Sequence, residues 1–242
     1  MSLGSELKSS ARQLMFENAP KLFYISLLFM ILSTVLSELI FRLPGTVDLD
    51  GGYAGLAAGE LPSLGLFIRD FRPVGATLAG IIILVRAILD VGFIGYSMRV
   101  RRKQETEFQD IFSGFLIFVK VLLIFIISAI FIFLWSLLFI IPGIIASYRY
   151  RLAYYILLDD PRKGALQCIS ESAILMKGAK ADLLIIDVSF IGWHLLNFMV
   201  MMFLTSFLGI PIPIPLVSIW LSPYIGVTVA GFYEKRIIGF AA

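Results

Sequence analysis

Cysteine and histidine are almost missing from this chain of 242 residues: Cys168 and His194 each stand alone. A lone cysteine has no partner within the chain, which excludes a disulfide-stapled secreted fold. A lone histidine excludes a histidine-pair phosphodiester mechanism. The patterns HExxH, GxxxxGK[ST] and GxSxG are also absent, so zinc peptidase, P-loop and nucleophile-elbow chemistry have no footing. Charge is scarce too. Asp, Glu, Lys and Arg make up 15% of the chain, against about 25% in ordinary soluble domains, which excludes a water-soluble globular protein. The chain is instead 59% hydrophobic and 14% aromatic, with a mean hydropathy of +0.93, too apolar for disorder. Lipid is the solvent for such a sequence, and the expected fold is all-α, a single integral membrane domain over residues 1–242.

A spanning helix needs about 20 apolar residues to cross roughly 30 Å of hydrocarbon. Windows at 22–41, 75–98, 121–141, 183–208 and 212–233 meet this. A sixth, 144–158, is short and carries Arg149 and Arg151, but Pro142-Gly143 breaks the helix before it and the basic stretch after it needs a matching side. Thirteen of the twenty Lys and Arg lie on one side, in segments 8–21, 99–103, 162–180 and 235–236. Three, Arg42, Arg69 and Arg72, lie on the other. Cations are retained in the cytoplasm, so both termini are expected inside and the number of crossings even, namely six. The net charge of +3 and pI near 9.0 then describe a surface facing anionic lipid, with membrane lipids as partners and no nucleic acid.

Residues 1–21 contain no apolar core of the kind a signal peptide needs, and the first span is too long for one, so it is expected to stay as an anchor. This lead-in reads as a cytoplasmic amphipathic helix, with Leu7, Ala11, Leu14 and Met15 at helical spacing. The outside loop 43–72 holds Asp48-Leu-Asp50-Gly51-Gly52, part of a calcium loop without its later ligands or terminal Glu. A solvated loop without a metal or other cofactor is expected. Residues 160–177 read as an interfacial helix. Asp160 is suited to cap it, Pro161 to its first position, Lys177 to its last turn and Gly178 to a left-handed stop, with Ala165, Leu166, Ile169, Ala173 and Met176 on one face.

Six charges fall within spans, three of each sign: Glu38, Arg86, Asp90, Arg149, Arg151 and Asp187. Each is costly in hydrocarbon unless it faces the bundle interior and pairs. Glu38 with Arg42 and Arg86 with Asp90 stand four apart on one helix face, as pins between helices or as a functional pair. Tyr148-Arg149-Tyr150-Arg151, followed by Tyr154-Tyr155, supplies donors and aromatic faces for an anionic headgroup or carboxylate. Arg149 and Arg151 lie about 9 and 12 Å from Pro142-Gly143 along the helix, too deep to snorkel easily. The candidate ligand residues are therefore Arg149, Tyr148, Arg151, Tyr154, Arg86 and Asp90. Arg149 is expected to face inward toward Asp90, for a ligand or for structural pairing. His194 reads as a neutral, hydrogen-bonded packing residue and Cys168 as a small apolar one. Ala76-xxx-Gly80, Gly143-xxx-Ser147 and Gly226-xxx-Ala230 point to close helix contacts, and Pro223 to a kink in the last span. The halves show no internal repeat.

The stretch Phe139-IIPGIIASYRYRLAYYILLDDPRKGALQCISESAILMKGAKADLL, with Val188-SFIGW, Trp220-LSPY, Thr228-VAGFY and the opening Leu7-Lys8 and Ala11-Arg12, resembles a bacterial integral-membrane family known as domain of unknown function 975. That family is grouped with the glycerophosphoryl diester phosphodiesterase membrane-domain superfamily. The resemblance covers nearly the whole chain and implies six helices, both ends inside, and the plasma membrane of a Gram-positive or related bacterium. It implies no established activity. Asp187 departs from the family pattern, which has an apolar residue there, and this weakens a role for it. The functional expectation is a non-enzymatic membrane module that binds lipid, a small amphipathic ligand or a protein partner, a second copy included. The alternatives are a transporter using Arg86, Asp90 and Arg149, and an intramembrane hydrolase or transferase using Asp159, Asp160 or Glu171.

Overall fold

A computed structural model describes residues 3–42, 73–208 and 216–241. The loop 43–72, with Asp48, Asp50, Arg69 and Arg72, lies outside the described residues, as does the expected start of the last span at 212–215. The helices are α1 (Leu3–Glu17), α2 (Lys21–Arg42), α3 (Pro73–Arg101), a 3-10 segment (Phe108–Ile117), α4 (Phe118–Leu138), α5 (Ile140–Tyr150), α6 (Ala153–Asp159), α7 (Ala165–Leu175), α8 (Lys180–Val188), α9 (Ile191–Leu208) and α10 (Leu216–Ala241). There is no strand among the described residues. Among the described residues five segments are long and apolar enough to cross a membrane: Lys21–Ile40, Thr77–Arg101, Phe108–Leu138, Lys180–Leu204 and Leu216–Gly239. They correspond to the five clear windows of the sequence.

The chain falls into two compact units, Met1–Met30 with Ala87–Ala242, and Ile31–Arg86. In the smaller unit Arg86 donates to Ser37 Oγ at 2.5 Å, and Ser37 donates to the Ser33 carbonyl at 2.8 Å. The larger unit holds the elements described next.

Leu7, Ala11, Leu14 and Met15 form the buried face of α1, the same four that the spacing selects. This face is set against α8 and α10. The expected break at Pro142-Gly143 falls instead at Phe139, the one extended residue (φ −163°, ψ 155°) between α4 and α5. Pro142 sits in the first turn of α5, where its missing N–H leaves no helix bond unmade. A Cβ on Gly143 would strike Ser136 Oγ on α4, so only glycine lets these helices lie so close; a Cβ on Gly226 of α10 would likewise strike Ser97 Oγ of α3. Gly80, by contrast, meets nothing within 4 Å among the described residues.

The window 144–158 is not one helix. It divides between α5 and α6, with a turn at Arg151 and Leu152. The helix expected at 160–177 is also shorter, beginning at Ala165 with Gly164 at its N-cap. Asp160 does not cap it: its carboxylate accepts the Arg162 N–H at 3.1 Å and closes a turn before the helix. The helix ends at Leu175 with Met176 at its C-cap, two residues short of the expected Lys177, and Gly178 beyond it takes the expected left-handed φ of +77°. The buried face of α7 is Ala165, Cys168, Ile169, Ser172 and Leu175, while Leu166 is exposed. That face lies against α4, α5 and α6.

Candidate functional site

The site begins with a backbone defect. At the α5 to α6 turn the Leu152 N–H and the Arg149 carbonyl leave the helical ladder, and a buried polar backbone group without a partner costs as much as a lost hydrogen bond. Ser172 of α7, itself fully buried, answers both: its Oγ accepts from Leu152 N at 3.2 Å and donates to Arg149 O at 2.9 Å. Arg151 and Leu152 keep right-handed backbone angles (φ −61° and −83°), so the chain swerves without reversing.

A second interruption lies at Ser189 and Phe190, between α8 and α9, where Phe190 N donates to the Asp187 carbonyl at 2.9 Å. The two interruptions are joined by side chains that adjoin them. Arg151 donates Nη1 to Asp187 Oδ2, and Nη2 to Oδ1 at 3.2 Å. Tyr148 donates its hydroxyl to Oδ2 at 2.8 Å, and the Arg151 guanidinium stands 5.6 Å from the centre of the Tyr148 ring. One carboxylate thus takes three donors from α5 and the turn after it. The pair is not sealed, with side-chain exposures of 35% for Arg151 and 22% for Asp187.

Below the pair, Tyr155 is buried beside both charges and its ring packs on Tyr233 at 5.3 Å. Tyr233 donates to Asp159 at 2.8 Å, which opens a network of ion pairs. Asp159 pairs with Arg102 at 2.6 Å, and Glu234 with Arg102 and Arg101 at 3.2 and 3.3 Å. Arg101 also donates to Ser10 at 2.7 Å. Lys235 pairs with Glu6 at 2.6 Å and Lys103 with Glu17 at 3.2 Å. Arg236 gives two N–H groups to the Leu175 carbonyl at 2.8 and 3.0 Å, capping α7. The two carboxylates facing Arg102 hold its guanidinium protonated even more firmly than usual, Asp159 most strongly. Burial pushes the Cys168 thiol above its ordinary range, which makes it less of a nucleophile and more of a small apolar residue.

Of the six residues that the sequence nominates, only Tyr148 and Arg151 meet at this site. Arg149 does not face inward toward Asp90. It is exposed, over the Tyr150 ring at 5.8 Å, and makes no ion pair among the described residues. The helix position explains this: Arg149 and Arg151 are two apart, about 200° around the axis, so only one of them can face α8. Asp90 acts electrostatically on Tyr154, while Arg86 belongs to the smaller unit. Asp187 and Ser172 complete the site without having been nominated. Asp187 carried a signal in the balance of three cations and three anions within spans. Ser172 carried none, since a serine on an amphipathic helix reads as solvated. His194 lies exposed on α9 and not packed. Among the described residues no group of three or more His, Cys, Asp or Glu is arranged to hold a metal.

No curated protein and no solved structure matches this chain. A family model does, over residues 1–146 and 137–237, two stretches that overlap on the α4 to α5 hairpin and together take in both interruptions. The match shows that family and does not show a link to a phosphodiesterase superfamily. The chain belongs to the family described as a protein of unknown function (DUF975).

Proposed function

We propose that this chain is a non-enzymatic membrane module that binds a lipid or other amphiphile at the cluster of Arg151, Asp187 and Tyr148. The observation that carries the reading is one partly exposed ion pair tying together two interrupted helices. Irregular backbone at membrane depth is tolerated where protein or a cavity satisfies it, and discontinuous helices of this kind form the binding sites of many transporters.

The same proposal takes six crossings with both termini in the cytoplasm of a bacterial cell. Support comes from α5 and α6, which with the turn between them hold the 20 residues from Ile140 to Asp159, the number that a crossing of the hydrocarbon needs. Support also comes from the basic segments: the end of α3, the start of α1 and the end of α10 meet in one ion-pair network. That is the grouping that the excess of cations on one side requires. The absence of the familiar catalytic patterns from the sequence favours binding over catalysis.

Native mass spectrometry from mild detergent tests the reading: one retained lipid per chain is expected, and a lipid-free chain overturns it. The same spectra report a second copy or a protein partner. A transporter is the second reading, favoured by the side-by-side helix interruptions. Flux into proteoliposomes that vanishes in Asp187→Asn would establish it.

A further inference from the structure

We propose that Arg151 is an oxyanion-exchange site, in which the Asp187 carboxylate holds the place of the oxyanion of an anionic amphiphile. The inference rests on the membrane-module reading and names the chemistry of its ligand. Two guanidinium N–H groups and the Tyr148 hydroxyl converge on one carboxylate. A phosphate, sulfate or carboxylate headgroup would take the same donors, because the planar fork of arginine matches any of them. The pair is about a third open on the arginine side, so a second oxyanion can approach the guanidinium from outside the bundle.

Depth and surroundings give the rest of the ligand. Arg151 lies eight residues from Asp159, and Asp187 seven from Lys180, which puts the pair about 10–12 Å from the charged end of the bundle. A headgroup reaches that depth only if its tail remains in the hydrocarbon beside it. Farther from that end, Ile144, one turn beyond Tyr148 on α5, and Ile191, one turn beyond Asp187 at the start of α9, are exposed apolar side chains. They give a chain a wall to lie against. Both interrupted helices adjoin the pair, so short segments can shift as the carboxylates exchange while Ser172 keeps the α5 to α6 turn satisfied.

The test measures binding of dodecyl phosphate to the full chain in a neutral detergent, with inorganic phosphate as the tail-less probe. Asp187→Asn keeps the shape and removes the resident anion. It should raise the affinity for dodecyl phosphate about tenfold, and Arg151→Gln in that background should abolish the gain. Tyr148→Phe, which keeps the ring and loses one donor, should weaken binding a few-fold with the fold intact, and so remains informative if the charge variants unfold. Unchanged affinity in a folded Asp187→Asn, or full binding in Tyr148→Phe, overturns the exchange. Equal binding of inorganic phosphate overturns the amphiphile assignment. Endogenous lipid retained by the wild type beside an unresponsive Asp187→Asn would refute the exchange while leaving the membrane-module reading standing.

Discussion

Helix α10 contains Pro223 and runs unbroken from Leu216 to Ala241, whereas the stretch from Ile140 to Asp159 has no proline after Pro142 and is broken at Arg151 and Leu152. Proline inside a helix removes one hydrogen bond, but α10 has burial to keep it helical through the loss. Leu221, Tyr224, Val227, Ala230 and Phe232 are all buried, and α1 lies along it. At Arg151 nothing in the local sequence forbids a helix. What makes the break stable is a hydroxyl from another element, Ser172, and a carboxylate from a third, Asp187. The difference teaches that at these two places tertiary partners, and not the intrinsic helix-breaking residue, decide whether the helix stops.

The sharpest way to break that comparison is to remove the partners on one side and the proline on the other. Arg151→Leu alone leaves Asp187 with Tyr148 only and should cost about 3 kcal/mol, read as a fall in Tm in detergent. Arg151→Leu with Asp187→Leu should recover most of it, because the uncompensated carboxylate is gone. Pro223→Ala should change stability by less than about 1 kcal/mol in either direction, since neighbours already hold α10 in place. A cost for Pro223→Ala that matched the Arg151→Leu cost would show that the two helices obey the same rule after all.

Ser172→Ala is the next largest. It strips the partner from a buried N–H and a buried carbonyl at once and should cost about 2 kcal/mol. Thr228→Val in α10 is its control. The Thr228 hydroxyl donates to the Tyr224 carbonyl at 2.7 Å, a carbonyl already inside a helix, so its loss should cost under about 1 kcal/mol. Equal effects would mean that Ser172 is an ordinary buried serine and the break is held by packing alone.

The same contrast separates what was legible in the sequence from what was not. The five long spans and the buried stripe of α1 follow from period and length, which are local properties. The stop at Gly178 follows from the conformational freedom of one residue. The site was half legible: Tyr148 and Arg151 were marked by the cost of charge in lipid, yet the same cost argument chose Arg149 and Asp90 as the central pair. It could not choose correctly, because which arginine faces inward depends on where α8 lies, and no local pattern encodes that. Asp187 was discounted for departing from a family pattern, although an unmatched Arg151 called for an anion of about its depth. Ser172 was invisible for the opposite reason. Its importance comes from a break that itself exists only in the folded chain.

A smaller effect belongs to the left-handed stop. Gly178→Ala puts a Cβ at φ +77° and should cost about 1 kcal/mol, while Gly164→Ala, with φ −77° and open space around it, should be near neutral. Matching Tm values for the two would mean that α7 is anchored by Arg236 on the Leu175 carbonyl and not by its own stop.

The smallest effect concerns the exposed ion pairs of α1, set against the half-open pair of Arg151 and Asp187. Lys235 beside Glu6, and Lys103 beside Glu17, hold both carboxyls below their ordinary value of 4.5. A depressed carboxyl pKa adds stability that is fully present above the unfolded value and is lost as pH falls through the folded one. Docking of α1 should therefore be constant from pH 7 down to about 5 and loosen only below 4.5. Amide hydrogen exchange along α1 reads this directly. The loosening should be slight, because both carboxylates are exposed and water screens them, while Leu7, Ala11 and Met15 stay buried whatever the pH. Glu6→Gln should remove the Glu6 share of the pH response and leave the protection at pH 7 nearly unchanged. Strong loss of protection in Glu6→Gln at pH 7 would show that exposed charge, and not the apolar stripe, holds α1 against α10, and the contrast between exposed and half-buried pairs would fail.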